Sequence, residues 1–287
     1  MSLPSGPVTG AAALVRAVAR LTEAGVPGAP GDGRRLLAHA LGIPPGRLML
    51  VLPEPLDAER LAAFEGLVDR RCAREPISHL TGRRAFYGRD FRVTADTLDP
   101  RPETEALVEA ALSAPFSSLL DLGTGTGCIL LTLLAETPGA SGIGIDLSAA
   151  ACAVAEANAE ALGLTDRATI LQGDWAEGVT GGFDLITSNP PYIALGEMAG
   201  LSPEVRDWEP RGALTDGGDG LGAYRAILAQ APRLMAPGGR LLLELGLGQG
   251  PDVLALGAAA GLAGGRLLPD LDGRDRVAAF AAPLTRR

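Results

Sequence analysis

Two short stretches carry the residue types best suited to chemistry. One runs from Asp184 as DLITSNPPY, where an apolar run gives way to Asn189, Pro190, Pro191 and Tyr192. The other is DLGTGTG, in which Asp121 precedes Gly123, Thr124, Gly125, Thr126 and Gly127. Asn-Pro is a turn signal and neither proline can donate to a ladder, so NPPY reads at least as a loop after a strand. It also reads as a loop built to hold something with its acceptors. The Asn189 side chain offers one oxygen and the Pro190 carbonyl a second, and the prolines stiffen the loop without adding a competing N–H. Two such acceptors suit a planar amide or aryl-amine nitrogen. Its lone pair is delocalised, so both N–H groups must be held while the lone pair is aimed. Tyr192 can cover the flat face of that group, and Pro191 can line the same side. Catalysis of this kind rests on orientation and electrostatics and requires no nucleophilic histidine or cysteine.

The glycine stretch follows an apolar strand pattern and opens a helix, the place where a ligand approaches backbone closely. Dinucleotide sites favour G-x-G-x-x-G; here the spacing is G-x-G-x-G after an acid. A carboxylate beside the loop repels a pyrophosphate but suits a ligand carrying an ammonium and a sulfonium. That combination points to S-adenosylmethionine, whose sulfonium methyl is then the electrophile at which the acceptor nitrogen is aimed. Asp146 ends the next strand, 19 residues after Gly127, where an acid can accept both ribose hydroxyls. Asp174 and Trp175 end the third strand in QGDW and suit an adenine: one accepts from its amino group and the other packs on the ring. Taken singly, Trp175 is equally a core aromatic and Asp146 a strand-end turn. Together they place ligand-type residues at the carboxyl ends of three successive strands, where open sheets bind ligands.

The elements that must position these residues are legible as two regimes. The first 75 residues read as helices: Ala11 to Gly25 with Leu14, Val18 and Leu21 on one face, Arg34 to Leu41, and a third capped by Asp57 with Leu61, Phe64, Leu67 and Val68 in a stripe. EPISHLTG, 75–82, reads as a connector, and RAFYGRDFRV as a hairpin about Gly88. From Ser118 strands and helices alternate. SLLDL, GIGID, ATILQ, FDLITS, GRLLLEL, GRLLP and RVAAF are seven strands, the last two adjacent. This predicts an α/β fold, a Rossmann-like, mainly parallel seven-stranded sheet covered on both faces with one antiparallel edge. The expected division is a helical domain over 1–75, a connector with the hairpin over 76–100, and the catalytic domain over 101–287.

Composition narrows the function classes. The chain has 287 residues and is 47% hydrophobic, enough for a sizeable core. A net charge of −9 argues against gripping nucleic acid through its phosphates. Every basic residue is an arginine, which excludes a Schiff-base lysine and a Walker phosphate loop. Cys72, Cys128 and Cys152 are widely spaced and fit a reducing cytosol, and two lone histidines, His39 and His79, give no metal-ligand pattern. The opening MSLPSGPVTG lacks a basic flank and an apolar run, so no signal peptide is expected there, and no apolar run is long enough to span a membrane.

The chain resembles the HemK family, the N5-glutamine methyltransferases of peptide chain release factors. The segments that carry the resemblance are EPISHLTG, PRPETE, DLGTGTG, QGDW, SNPPYI, EVRDWEPRGAL with DGLGAYR, LLLELGLGQ and the terminal DLDGRDRV. The resemblance implies a seven-stranded methyltransferase domain and a small N-terminal helical domain that helps bind the release factor. It implies transfer of a methyl group to the glutamine of the factor's Gly-Gly-Gln motif. It assigns the donor site to Gly123 through Gly127, Asp146 and Trp175. Asn189 serves donor and acceptor, with Pro190, Pro191 and Tyr192 on the acceptor side. PRPETE lies over the donor in the family, which makes Arg101 and Glu103 further candidates. Glu204, Arg206 and Glu209 of EVRDWEP read equally as residues that order the loop after NPPY. Family members usually carry an apolar residue just before PRPETE; here it is Asp99, which bears on the packing of the connector.

Two other readings compete. An N6-adenine methyltransferase shares NPPY but needs to capture a base and brings a basic recognition surface. A non-catalytic S-adenosylmethionine-binding adaptor has no need of an intact NPPY. The expectation is therefore a cytoplasmic, monomeric enzyme with a protein substrate and no direct nucleic-acid binding.

Overall fold

The computed structural model describes residues 8–283; residues 1–7, most of the opening MSLPSGPVTG, lie outside them. The chain forms two compact units. One runs through Gly82 and takes in Ser202–Trp208; the other comprises Arg83–Leu201 and the residues from Glu209 on.

In the first unit, α1 (Gly10–Glu23), α2 (Ala29–Ala40), α3 (Leu48–Val51), α4 (Ala58–Cys72) and α5 (Ile77–Thr81) surround a core of Leu21, Leu36, Leu37, Phe64 and Val68. Asp57 caps α4 by accepting from the Arg60 N–H at 2.8 Å. The second helix starts at Ala29, ahead of the expected Arg34, because Pro30 occupies its first turn with a helix-compatible φ. The stretch read as a connector contains α5. The buried Arg71 donates to Asp32 at 2.9 Å and to Glu204 at 3.1 Å, and Arg74 also reaches Glu204 at 2.7 Å. These ion pairs explain why α9 (Pro203–Trp208) belongs to this unit.

The second unit opens with a hairpin, β1 (Arg83–Phe86) and β2 (Arg89–Arg92). Tyr87 and Gly88 make its turn, both at positive φ, which matches the twist of the paired strands. Then follow α6 (Glu105–Leu112), β3 (Ser118–Leu122), α7 (Cys128–Glu136), β4 (Ser141–Asp146), α8 (Ala149–Ala161), β5 (Ala168–Gln172), β6 (Phe183–Ser188), α10 (Arg211–Leu214), α11 (Gly222–Leu234), β7 (Met235–Glu244), α12 (Gly250–Ala259), β8 (Ala263–Pro269) and β9 (Asp275–Ala281). The sheet order is β5-β4-β3-β6-β7-β9-β8. The first five strands are parallel, and β9 inserts antiparallel between β7 and β8. The antiparallel strand is therefore one in from the edge.

Alternation sorts the strand side chains to two cores. Leu119, Leu185 and Leu242 pack on one face; Leu120, Ile186 and Leu241 on the other. At Gly144 of β4 a Cβ would lie 2.9 Å from both Leu130 and Thr124, so only glycine admits α7 and the glycine loop before it at this distance.

Asn158 of α8 is buried and fastens the hairpin to the glycine loop. Its Oδ1 accepts from the Arg92 N–H at 2.8 Å, and its Nδ2 donates to the carbonyls of Arg92 at 3.0 Å and Thr126 at 2.8 Å. Asn158→Ala leaves these backbone groups unpaired and is expected to cost about 2–4 kcal/mol. Thermal denaturation should show a fall in Tm of roughly 5–10 °C.

Candidate active site

A cavity of about 500 Å³ opens at the carboxyl ends of β3, β4, β5 and β6, a size typical of small-molecule sites. Its wall includes the segment 95–101, Thr104, Gly123 through Thr126, Asp146, Asp174, Trp175, Asn189 and Pro191. Expected donor-side and acceptor-side residues thus share one cavity. Gly127, Asp121, Pro190, Tyr192 and Glu103, also expected at the site, are not part of its wall.

The glycine loop is shaped by left-handed backbone at Gly123, Gly125 and Gly127. The N–H groups of Gly123 and Thr124 both donate to the Ile145 carbonyl, at 2.8 and 2.9 Å. The Gly125 N–H donates to Asp146 Oδ2 at 2.8 Å, and Ser148 N–H to Asp146 Oδ1 at 2.9 Å. Asp146 is so held facing the cavity, and each oxygen keeps a lone pair for a ligand hydroxyl. Gly127 caps α7; a Cβ there would lie 3.0 Å from Leu131, so its part is packing.

Asp121 corrects the expectation of a carboxylate facing the ligand. It is fully buried beneath the loop, and both oxygens are engaged: Oδ2 accepts from Thr124 Oγ1 and Oδ1 from Thr187 Oγ1, each at 2.7 Å. Burial pushes its carboxyl up to about 6, with the two threonine hydroxyls opposing. Its hydrogen bonds hold the glycine loop and the end of β6.

Trp175 sits at φ 48, a strained conformation for an aromatic residue, and its ring edge approaches the position a Gly123 Cβ would take at 3.8 Å. The indole is thereby laid across the glycine loop on the cavity side, with Asp174 beside it. Arg101 lines the cavity, but its guanidinium is bound to Glu209 at 2.7 and 2.5 Å. Burial, with Asp99 adding, raises the Glu209 carboxyl to about 7 against the pull of Arg101. Glu103 is exposed. Asp99, the departure noted in the sequence, is buried in the cavity wall 3.8 Å from Arg84 Nε. Arg206 pairs with its neighbour Asp207.

The NPPY loop is anchored at both ends. Ser188 Oγ donates to the Leu122 carbonyl at 2.6 Å, and the Tyr192 carbonyl accepts from Gln249 Nε2 at 2.9 Å. Gly220 permits the same approach: at φ 78 its missing Cβ would lie 2.4 Å from the Tyr192 carbonyl. Pro190 is buried, and the half-buried Tyr192 ring packs on the second core, where burial and Glu244 push its phenol up to about 12. Asn189 Nδ2 donates to Thr104 Oγ1 at 3.3 Å, while its Oδ1 is buried with no hydrogen-bond partner among the described residues. Thr104, Gln249 and Glu244 lie in segments that mark the family resemblance, yet nothing local in the sequence brings them to NPPY. The backbone cradle, Asp146, the Asp174–Trp175 pair and the unpaired Asn189 oxygen fit a nucleoside with a cationic tail and an amide acceptor beside it.

Residues 12–82 match the PrmC N-terminal domain, and residues 94–200 the methyltransferase small domain. The release factor glutamine methyltransferase of Cereibacter sphaeroides is 59% identical over 94% of this chain and 98% of its own length. The chain belongs to the release factor glutamine methyltransferase family. Its relative of the same description from Rhodospirillum rubrum is 48% identical over 92% of this chain and 82% of its own. A methyltransferase from Pyrococcus furiosus superposes with a TM-score of 0.54 at 17% identity, covering 77% of this chain and 98% of that one, and shares the fold. A family member of this kind is an S-adenosylmethionine-dependent methyltransferase. No helix among the described residues is long and apolar enough to cross a membrane.

The chain has two tryptophans, Trp175 and Trp208. Adding S-adenosylmethionine should quench fluorescence in wild type and in Trp208→Phe but not in Trp175→Phe. Asp146→Ala, which removes a charge-assisted acceptor, should weaken cofactor binding by about 10- to 100-fold in calorimetry.

Proposed function

We propose that the chain transfers the methyl group of S-adenosylmethionine to the side-chain amide nitrogen of a glutamine in peptide chain release factors, that of their Gly-Gly-Gln motif. The observation that carries this reading is Asn189, a residue of the cavity wall whose buried Oδ1 has no hydrogen-bond partner among the described residues, on a loop whose prolines offer no N–H. When bound, S-adenosylmethionine supplies an electrophilic methyl carried on a sulfonium. Gly123 through Thr126, Asp146, Asp174 and Trp175 hold it. Asn189 Oδ1 accepts one N–H of the glutamine amide and the Pro190 carbonyl the other, which aims the nitrogen lone pair. Tyr192 backs the loop, and the buried segment of PRPETE closes the wall. The rate gain comes from holding the acceptor in line and from two dipoles that favour the charge developing on nitrogen.

Assignment of the substrate follows from the family together with this amide-holding geometry. The N-terminal helical unit provides the surface that engages the factor. The enzyme acts in the cytosol as a monomer and touches no nucleic acid directly, in keeping with its net charge of −9.

Labelled S-adenosylmethionine should mark an intact release factor, but not one with Gln→Ala in its Gly-Gly-Gln motif, and not duplex DNA. Asn189→Ala should lower transfer by about 100-fold or more, the scale seen when one preorganised polar partner of a transition state is removed. Full activity of that variant with cofactor still bound would overturn the role of NPPY, and label on DNA would overturn the substrate.

A further inference from the structure

An asparagine amide has nearly the same shape whichever way it faces, so something must decide that Asn189 presents its oxygen to the acceptor. Its Nδ2 donates to Thr104 Oγ1. That contact alone decides nothing, because a hydroxyl both donates and accepts. Thr104 could as well donate to Asn189 Oδ1, which would turn the NH2 group toward the acceptor and present the wrong dipole.

A second buried group breaks the tie. Ser188 of β6 pairs with Leu243 of β7, so the next residues along these parallel strands, Asn189 just past β6 and Glu244 at the last position of β7, come side by side. Glu244 is 1% exposed, and the nearby Thr104 hydroxyl favours its ionised form. Its Oε2 has no partner among the described residues. A buried carboxyl beside an apolar sheet end is costly unless something requires it.

We infer that Glu244 and Thr104 are positioning residues that fix the orientation of the Asn189 amide. This rests on the proposed function. An ionised carboxylate only accepts, so Glu244 takes the Thr104 O–H. Thr104 Oγ1 is then left as an acceptor, it takes the Asn189 NH2, and Oδ1 faces the glutamine.

The relay has a protonation switch. Burial raises the Glu244 carboxyl to about 7, the Thr104 hydroxyl, Arg276 and Arg101 oppose, and Glu103 adds to the rise. Tyr192, Tyr224 and Cys128 also feel its charge, and all three are held neutral by burial. Above about 7 the carboxylate fixes the relay. Below it, the protonated acid can donate to Thr104, which frees the threonine O–H to bind Asn189 Oδ1 and turn the amide. Turnover should therefore fall as pH falls through about 7.

The test is steady-state methylation of an intact release factor against pH, with cofactor affinity and Tm measured alongside. Thr104→Val should lower kcat by about twentyfold or more, the scale of a misaimed group. Its S-adenosylmethionine affinity should stay within about threefold, because the glycine loop and Asp146 are untouched. Thr104→Ser keeps the hydroxyl and should restore kcat to within about threefold of wild type. Glu244→Gln, which can donate as well as accept, should lower kcat and lose the fall near neutral pH. A Thr104→Val enzyme with wild-type turnover sinks the relay and leaves the methylation of release factors standing. So does a Glu244→Gln enzyme that keeps the acid limb, or a Thr104→Ser enzyme as impaired as the valine variant. Absence of label from the wild type sinks both.

Discussion

One buried carboxyl joins the two halves of the site. Asp121, at the carboxyl end of β3, takes the hydroxyl of Thr124 on one oxygen and that of Thr187 on the other, each at 2.7 Å. Thr124 belongs to the glycine loop and Thr187 lies two residues before Asn189. The loop that shapes the cofactor side and the strand end that delivers NPPY are therefore fixed to the two oxygens of one carboxylate. Buried polar networks of this kind hold one geometry because any departure leaves a desolvated group unpaired. The spacing between donor and acceptor sides is thus set in the sheet, not in the flexible reach of the loops.

The rest of the unit is arranged around that constraint. Parallel strands β3, β4, β5 and β6 bring Asp121, Asp146, the Asp174–Trp175 pair and Asn189 to one edge of the sheet. Asn158 ties the hairpin to the glycine loop from behind. Gln249 and Gly220 hold the far end of NPPY through the Tyr192 carbonyl. None of these groups is a nucleophile or a strong base aimed at the cavity, which suits a reaction whose difficulty is aiming a delocalised nitrogen lone pair.

What the sequence made legible is what is local. Glycine spacing, the strand-end acids and the Asn-Pro-Pro-Tyr stretch each act within a few residues of themselves, and the cavity wall contains Gly123, Asp146, Trp175 and Asn189 together. The strand-helix alternation likewise set out the seven strands. The direction in which Asp121 faces was not legible, because an acid before a glycine loop has the same spacing whether it meets the ligand or the threonines beneath. Nor was the partner of Asn189, since Thr104 lies 85 residues away and is delivered by a short turn before α6. The place of β9 between β7 and β8 is also a non-local choice: two adjacent strands at the end of a chain fix their pairing with each other, not which one meets the sheet.

The central claim is that the cavity holds a planar side-chain amide and methylates its nitrogen. The most direct measurement is fragment-ion mass spectrometry of a release factor after incubation with the enzyme and S-adenosylmethionine. The account predicts one added methyl group, located on the side-chain amide nitrogen of the Gly-Gly-Gln glutamine. A methyl group on any other residue, or a factor that leaves unmodified while the enzyme binds its cofactor, would contradict it.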